Sequence, residues 1–285
     1  MTATRVPAQA ANRGLGHDLR VARVVLVRDL MRFLHDVGRA VSTLLQGVMM
    51  LFVIGVGFGS LMPDAPAGVE LTTVMFPGVI AMLVISTAIA SAGSIVSDRE
   101  FGFLREILAS PARRSAIALG KVLGGAVLAV FQGSLILVMA GLAGIPYEPM
   151  LLVKLAGLMC VLALTTSALG VLTATLVRHP EAFLGISQMA ITPLVLLSGA
   201  LFPIANLPSW LKAVAVVNPI TYAVDPMRRV VFERVETTPE AEALFNPGVT
   251  WFSWQVPGSV EVLMVGGAGL VFLALAVRRF NKMTS

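Results

Sequence analysis

Six long intervals of this chain contain no Asp, Glu, Lys or Arg, and the charged residues cluster between them. Residues 40–63, 71–97 and 122–147 form uncharged runs of 24, 27 and 26 positions. Three more cover 155–177, 182–211 and 262–277, the last extendable toward Trp251 if Glu261 lies near an interface. A bilayer core takes roughly 20 mainly apolar residues per helix, so the pattern predicts an all-α integral membrane protein with six transmembrane helices. None of the runs carries the opposing polar face that a helix in a small aqueous core would show. The first run is expected to remain a helix, because the largely polar segment before it exceeds the roughly 15 to 30 residues of a signal peptide.

Composition agrees with this pattern. The chain is 56% hydrophobic and 13% charged, with a mean hydropathy of +0.86, which nearly excludes an aqueous globular enzyme. Six spans place both termini on one side. On that side fall seven Arg before the first run, five basic residues between Arg99 and Lys121, Arg178, and Arg278, Arg279 and Lys282. The opposite side holds only Lys154, Lys212, Arg228, Arg229 and Arg234. The basic excess marks the first side as cytoplasmic, giving a multi-pass protein of a bacterial inner or plasma membrane. The formal charge of +5 is thus explained by topology, and no nucleic-acid partner is expected.

Residues 1–19 read as a mobile leader. Residues 20–39 read as an amphipathic helix, with Arg28, Asp29, Arg32, His35 and Asp36 on one face and Leu26, Leu30, Phe33 and Val37 on the other. Its arginines, with Arg39 at its end, can reach lipid phosphates or simply fix topology. Residues 40–280 form one transmembrane domain, and 281–285 a tail. Gly55, Gly57 and Gly59, and Ser86, Ala90 and Ser94, are small residues expected to permit close helix approach. Cys160, alone within the fourth run, is expected to pack. Pro193 and the break at Phe202-Pro203 suggest that the fifth run ends in a shallow re-entrant segment, within an outer region of about 202–250.

Several chemistries lack their residues. Gly120-Lys121 is followed by Val122 and has Ser115 where a phosphate loop needs its first Gly, so this chain carries no nucleotide engine and no cofactor of its own. No zinc helix or nucleophile elbow is present, so no catalytic or metal-binding residues are assigned. The span interiors hold no ionisable residue to bind a coupling ion, which disfavours a secondary transporter. A noncatalytic membrane assembly subunit stays open as another reading.

The inner connection runs Ser97-Asp98-Arg99-Glu100-Phe101-Gly102-Phe103-Leu104-Arg105-Glu106-Ile107-Leu108-Ala109-Ser110-Pro111, with Leu119-Gly120-Lys121 beyond it. Read as a helix over about 98–109, it has an apolar stripe of Phe101, Leu104, Ile107 and Leu108, able to lie on lipid or enter a soluble partner's groove. A second pattern, Asn218-Pro219-Ile220-Thr221-Tyr222-Ala223-Val224-Asp225 followed by Arg228, lies in the outer region. With these motifs the chain resembles the type 2 ABC exporter permeases (ABC-2 transmembrane subunits), in particular the daunorubicin-resistance-like drug and lipid exporter branch, over most of 40–280.

That resemblance implies that 98–109 is a cytoplasmic coupling helix docking on a separate ABC ATPase, through Glu100, Phe101, Leu104, Arg105, Glu106 and Leu108. It makes 20–39 a connecting helix, with Arg28, Arg32 and Arg39 at the membrane surface. It assigns Phe202, Pro203, Asn218, Pro219, Tyr222, Asp225 and Arg228 to an outer gate or exit. Two permeases, identical or different, would pair with two ATPase copies that bind MgATP, and the substrate would pass between the permeases. Phe103 and Arg105 depart from the family's usual Thr and acidic residue. A pathway of Phe, Met, Leu and small residues would suit a hydrophobic or amphipathic drug or lipid, in a membrane-lipid setting; a polysaccharide or lipid-linked glycan is the alternative cargo.

Overall fold

Uncharged runs become helices only as far as proline and glycine allow. The computed structural model describes residues 15–35, 37–61, 70–102, 113–201, 204, 208–235, 237–251 and 254–282. In chain order, α1 is Leu15–His35 and α2 Val37–Leu61. Helix α3, Leu71–Ser91, continues after a turn at Ala92 as α4, Gly93–Glu100. Then follow α5, Arg114–Leu137, a short 3-10 helix Ala140–Ala143, and α6, Pro149–Leu176. Helices α7 (Pro180–Leu196), α8 (Ser209–Val217), α9 (Thr221–Phe232) and α10 (Pro239–Phe245) lead to a small antiparallel hairpin, β1 (Thr250–Trp251) with β2 (Trp254–Gln255). Helix α11, Gly258–Lys282, ends the described chain.

The six-span expectation is corrected here. Among the described residues, four helices are long and apolar enough to cross a membrane: Leu71–Glu100, Arg114–Leu137, Pro149–Leu176 and Gly258–Asn281. The first run forms α2, in which the apolar stretch is Val41–Gly57, and the fifth yields the shorter apolar helix Pro180–Leu196. At 1.5 Å per residue, the 17 residues of α7 reach about 25 Å, less than the roughly 30 Å hydrocarbon core. Its length is set by Pro180 at its start and by the turn beyond Leu196, where Gly199 adopts φ +78°. Pro193 is taken up inside the last turn of α7 instead of dividing it.

Two other expected elements also change. A continuous helix over 98–109 is not formed: α4 stops at Glu100, and Gly102 turns the chain away with φ +80°, a conformation that favours glycine. Residues 103–112 lie outside the described residues. Among the described residues of the outer region no re-entrant hairpin is identified. Instead α8 and the charged α9 occupy it, and α9 buries Asp225 and Arg228 among other helices. The amphipathic N-terminal helix starts earlier than expected, at Leu15 within the proposed leader, and ends at His35, so Arg39 belongs to α2.

Helix α3 is the centre of the core, with Phe76, Ile80, Val84 and Ile85 fully buried against α2, α5 and α6. Its Gly78 has no room for a side chain, since a Cβ there would overlap the backbone carbonyl of Ala200. Helix α11 lies along α6, where Thr165 donates to the Val265 carbonyl at 3.0 Å, and exposes Leu263, Leu270 and Val271, an apolar face suited to lipid. Cys160 is exposed on α6, not packed as expected. Arg99 donates to the Val177 carbonyl at 2.9 Å and Arg114 to that of Asn281 at 2.6 Å, gathering the basic connections at one end. At the other end Lys154 pairs with Glu233 at 3.0 Å and Arg234 with Glu148 at 3.1 Å.

Candidate functional site

At the basic end, three elements are tied by buried charge. Lys121 of α5, with its side chain 3% exposed, lies 3.1 Å from the Asp29 carboxylate and 3.2 Å from that of Asp98, and donates to Ser94 Oγ at 2.8 Å. Arg28 closes the group, 2.8 Å from Asp98 and 3.3 Å from Asp29. Burial alone would lower the Arg28 pKa; the carboxylates of Asp98 and Asp29 outweigh it and hold the guanidinium above its ordinary value. Two cations and two anions leave the cluster neutral, so each charge is compensated where water is scarce.

Backbone packing brings those charges together. Gly120 faces Ala22 and Val25 of α1, with space so close that a Cβ would lie 2.9 Å from the Ala22 carbonyl oxygen. Gly124, one turn on, faces Leu26 and Asp29. A bare strip on α5 therefore seats α1 and delivers Arg28 and Asp29 to Lys121. The cluster joins α1 to the last turn of α4 and the early turns of α5, on either side of residues 103–112. Glu100 is exposed at the end of α4, and Phe101 beside it is 71% exposed. Leu104, Arg105, Glu106 and Leu108 lie outside the described residues, as do the side chains of Arg32 and Arg39.

Next to this cluster, a cavity of about 670 Å³ opens between α2, α3, α5 and α7. Ser86, Ala90 and Ser94, expected to mediate helix packing, line it instead. Gln132 of α5 reaches it too and accepts a hydrogen bond from Thr87 Oγ1 at 3.0 Å. Opposite stand Ser187, Gln188 and Thr192 of α7, with Met50, Met82 and Phe183 supplying apolar wall. The cavity is more polar than the pathway of Phe, Met and Leu expected from composition. Asp29 is its one ionisable lining residue among those described, so the charged cluster forms one end of the cavity.

The outer motif has become a knot of backbone bonds. Asn218 donates from Nδ2 to the Leu194 carbonyl at 2.7 Å, meeting an acceptor left open at the end of α7, and accepts from the Ile220 amide at 3.0 Å. Pro219 lies in the turn between α8 and α9, and Thr221 Oγ1 donates to the Ala215 carbonyl at 2.6 Å. Tyr222 donates to the Val216 carbonyl at 2.5 Å and accepts from Trp251 Nε1 at 2.7 Å. Arg228, fully buried, donates to the Gly199 carbonyl, and burial lowers its pKa with Asp225 offsetting part of that shift. Asp225 pairs with Arg229 at 2.5 Å, and Arg229 reaches Glu261 of α11 at 3.3 Å. These residues fasten α7, α8, α9 and α11 together; Phe202 and Pro203 lie outside the described residues.

Sequence reasoning placed Arg28 but gave no role to Asp29 or Asp98, and it used Lys121 only as a motif residue. The uncharged runs themselves hold no Asp, Glu, Lys or Arg, but Asp98, Lys121 and Glu261 at their edges, which were counted as boundaries, are buried, each with a partner of opposite charge. The spacing of Arg28-Asp29 beside Leu26 and Leu30 was the available signal.

Comparison with known proteins follows the same lines. The family model described as "ABC-2 type transporter" matches residues 20–232. The chain is 28% identical over 195 residues to the putative transport permease ycf38 of Cyanophora paradoxa, covering 65% of this chain and 67% of that one. It is 30% identical over 157 residues to the probable multidrug ABC transporter permease YbhR of Escherichia coli K12, covering 54% of this chain but only 42% of YbhR. Nodulation protein J of Rhizobium leguminosarum bv. viciae is 26% identical over 229 residues, 79% of this chain and 85% of that protein. The match distinguishes no branch within the family. With three quarters of its length matched and four membrane-length helices packed around a common core, the chain belongs to the ABC-2 type transporter family as a noncatalytic, multi-pass membrane permease.

Proposed function

We propose that this chain is the permease subunit of an ATP-driven exporter that moves a hydrophobic or amphipathic drug or lipid outward across a bacterial inner membrane. A separate cytoplasmic ABC ATPase, in two copies, binds and hydrolyses MgATP, and a second permease, identical or different, completes the membrane part. The observation that carries the reading is the neutral cluster of Arg28, Asp29, Asp98 and Lys121. It holds both flanks of residues 103–112 to α1, and two of its partners, Asp29 and Ser94, also line the cavity. Work delivered to that inner loop by a partner therefore has a short mechanical route to the cavity wall. Exposed Phe101 and Glu100 stand beside the loop, and with Leu104, Arg105, Glu106 and Leu108 they supply apolar anchors and orienting charges for the ATPase.

The basic end gives the cytoplasmic side by the excess of Lys and Arg. Exposed Val41, Leu45, Met49 and Val53 on α2 form an apolar stripe for lipid or the second permease. The Asn218 to Arg228 knot sits at the outward end and shapes the exit. Copurification with the cognate ATPase, followed by substrate-stimulated ATP hydrolysis and ATP-dependent movement in proteoliposomes, tests the whole reading. Leu104→Asp and Leu108→Asp place charge on the docking face and should reduce ATPase association several-fold while membrane insertion is unchanged. Normal complex yield in a quantitative pull-down rejects that assignment.

A further inference from the structure

We propose that the cavity between α2, α3, α5 and α7 selects an uncharged amphiphile whose head carries several hydroxyl groups, such as a polyol or sugar, over cationic or anionic compounds of the same apolar length. This rests on the transport reading and narrows its substrate class.

Three observations carry it. The first is the chemistry of the walls: hydroxyl and amide side chains of α3, α4 and α7 face one another across about 670 Å³, within the roughly 300–1,000 Å³ that holds a drug-sized ligand. Met50, Met82 and Phe183 give the alkyl part of such a ligand an apolar surface. The second is the direction of those hydroxyls. Ser91 donates its proton to the Ala88 carbonyl at 2.8 Å and Thr192 to the Gln188 carbonyl at 2.9 Å. Ser94 accepts from Lys121, which leaves its own proton to donate. The Ser91 and Thr192 hydroxyls present oxygen lone pairs, while the Ser94 hydroxyl and the Gln188 amide can donate, so the cavity offers both acceptors and donors and is best matched by ligand O–H groups, which serve as either. Ser187, 6% exposed, has a buried Oγ with no hydrogen-bond partner, a polar atom that a ligand hydroxyl would satisfy.

The third observation is charge. The one ionisable side chain lining the cavity among the described residues is Asp29, and it is already paired with Lys121 and Arg28. A cation entering would leave water without gaining a counter-charge, and an anion would meet the same loss. An uncharged head escapes that cost and still finds hydrogen-bonding partners.

The test uses the full chain in phosphatidylcholine nanodiscs and three radiolabelled probes with the same alkyl chain: decyl glucoside, decyltrimethylammonium and decyl sulfate. Equilibrium dialysis against empty discs of the same lipid removes simple partitioning. Expected is saturable excess binding of the glucoside, near one per chain, and none for the two charged probes. Ser187→Val and Gln188→Leu should each weaken glucoside binding at least fivefold, Ser187→Thr should retain it, and Thr173→Val on α6 should leave it unchanged. Gln188 is exposed, so its variant reports even if Ser187→Val folds poorly. Saturable binding of either charged probe as tight as the glucoside, or glucoside binding indifferent to both α7 variants, overturns the proposal. If the glucoside binds as expected yet no probe moves with ATP in ATPase-loaded proteoliposomes, the transport reading fails and this one stands. ATP-driven movement of the cation without glucoside binding gives the reverse.

Discussion

Replacing Lys121 with methionine keeps the length of an apolar stem and removes the ammonium that two carboxylates share. The gross attraction is large: at an effective dielectric of about 20, unit charges 3.1 and 3.2 Å apart gain about 5 kcal/mol per pair. Part of that is offset by the desolvation of the ammonium, which the variant no longer suffers. What remains is the exposure of Asp29 and Asp98 to each other, with Arg28 as the cation that still bridges them. Breaking a buried pair in this way costs about 3–5 kcal/mol. Because Asp29 belongs to α1 while Asp98 and Lys121 belong to the packed core, the loss should fall on the docking of α1. Amide hydrogen exchange across Leu15–His35, in the full chain, reads that local opening directly. At 1.36 kcal/mol per decade, exchange should accelerate by about a hundred- to several-thousand-fold. Adding Asp98→Asn to Lys121→Met restores neutrality and should recover much of the protection, whereas Glu100→Gln, at an exposed position, should change nothing. If α1 exchanges within threefold of wild type in Lys121→Met, the cluster does not hold α1 and the mechanical route proposed through it is wrong.

Two further outcomes test the packing. Gly78→Ala should destabilise the detergent-solubilised chain by about 1–3 kcal/mol, since the new methyl meets the Ala200 backbone, whereas Gly157→Ala, with open space around it, should be neutral or stabilising by up to about 1 kcal/mol; thermal unfolding of the pair, side by side, checks both. Asn218→Ala strands the Leu194 carbonyl and the Ile220 amide and should cost about 1–3 kcal/mol in the same melt, while an unchanged midpoint would show that water replaces the side chain.

Much of the architecture was written in where charge is absent. The uncharged runs at 71–97, 122–147, 155–177 and 262–277 all became membrane-length helices, and the amphipathic order after Arg20 falls within helix α1. The run at 182–211 misled because freedom from charge says nothing about helix continuity, which Pro180 and Gly199 decide. The same criterion is blind to Ser, Thr and Gln, so a polar cavity wall along Ser86, Ser94 and Ser187 was counted as span. Asp98 and Lys121 served in the sequence as punctuation at the ends of apolar runs. Their link to Asp29 depends on α1 lying across α5, where Lys121 meets a residue 92 positions away, a contact that no local pattern records. The Asn218 to Tyr222 motif was visible as a string, but its work of closing open carbonyls at the end of α7 needed the neighbouring helix in place.

The contact between Gly78 and Ala200 has a geometric consequence. Two backbones that meet with no side chain between them act as a rivet, and it sits beyond the end of the cavity away from the charged cluster, past Met82 on one side and near Leu201 on the other. Blades joined at a rivet spread farthest at the opposite tips. Separation of α3 from α7 would thus be greatest beside Ser97 and Pro180, so the cleft would open at the end that carries the charged cluster while the end beside Met82 stays shut.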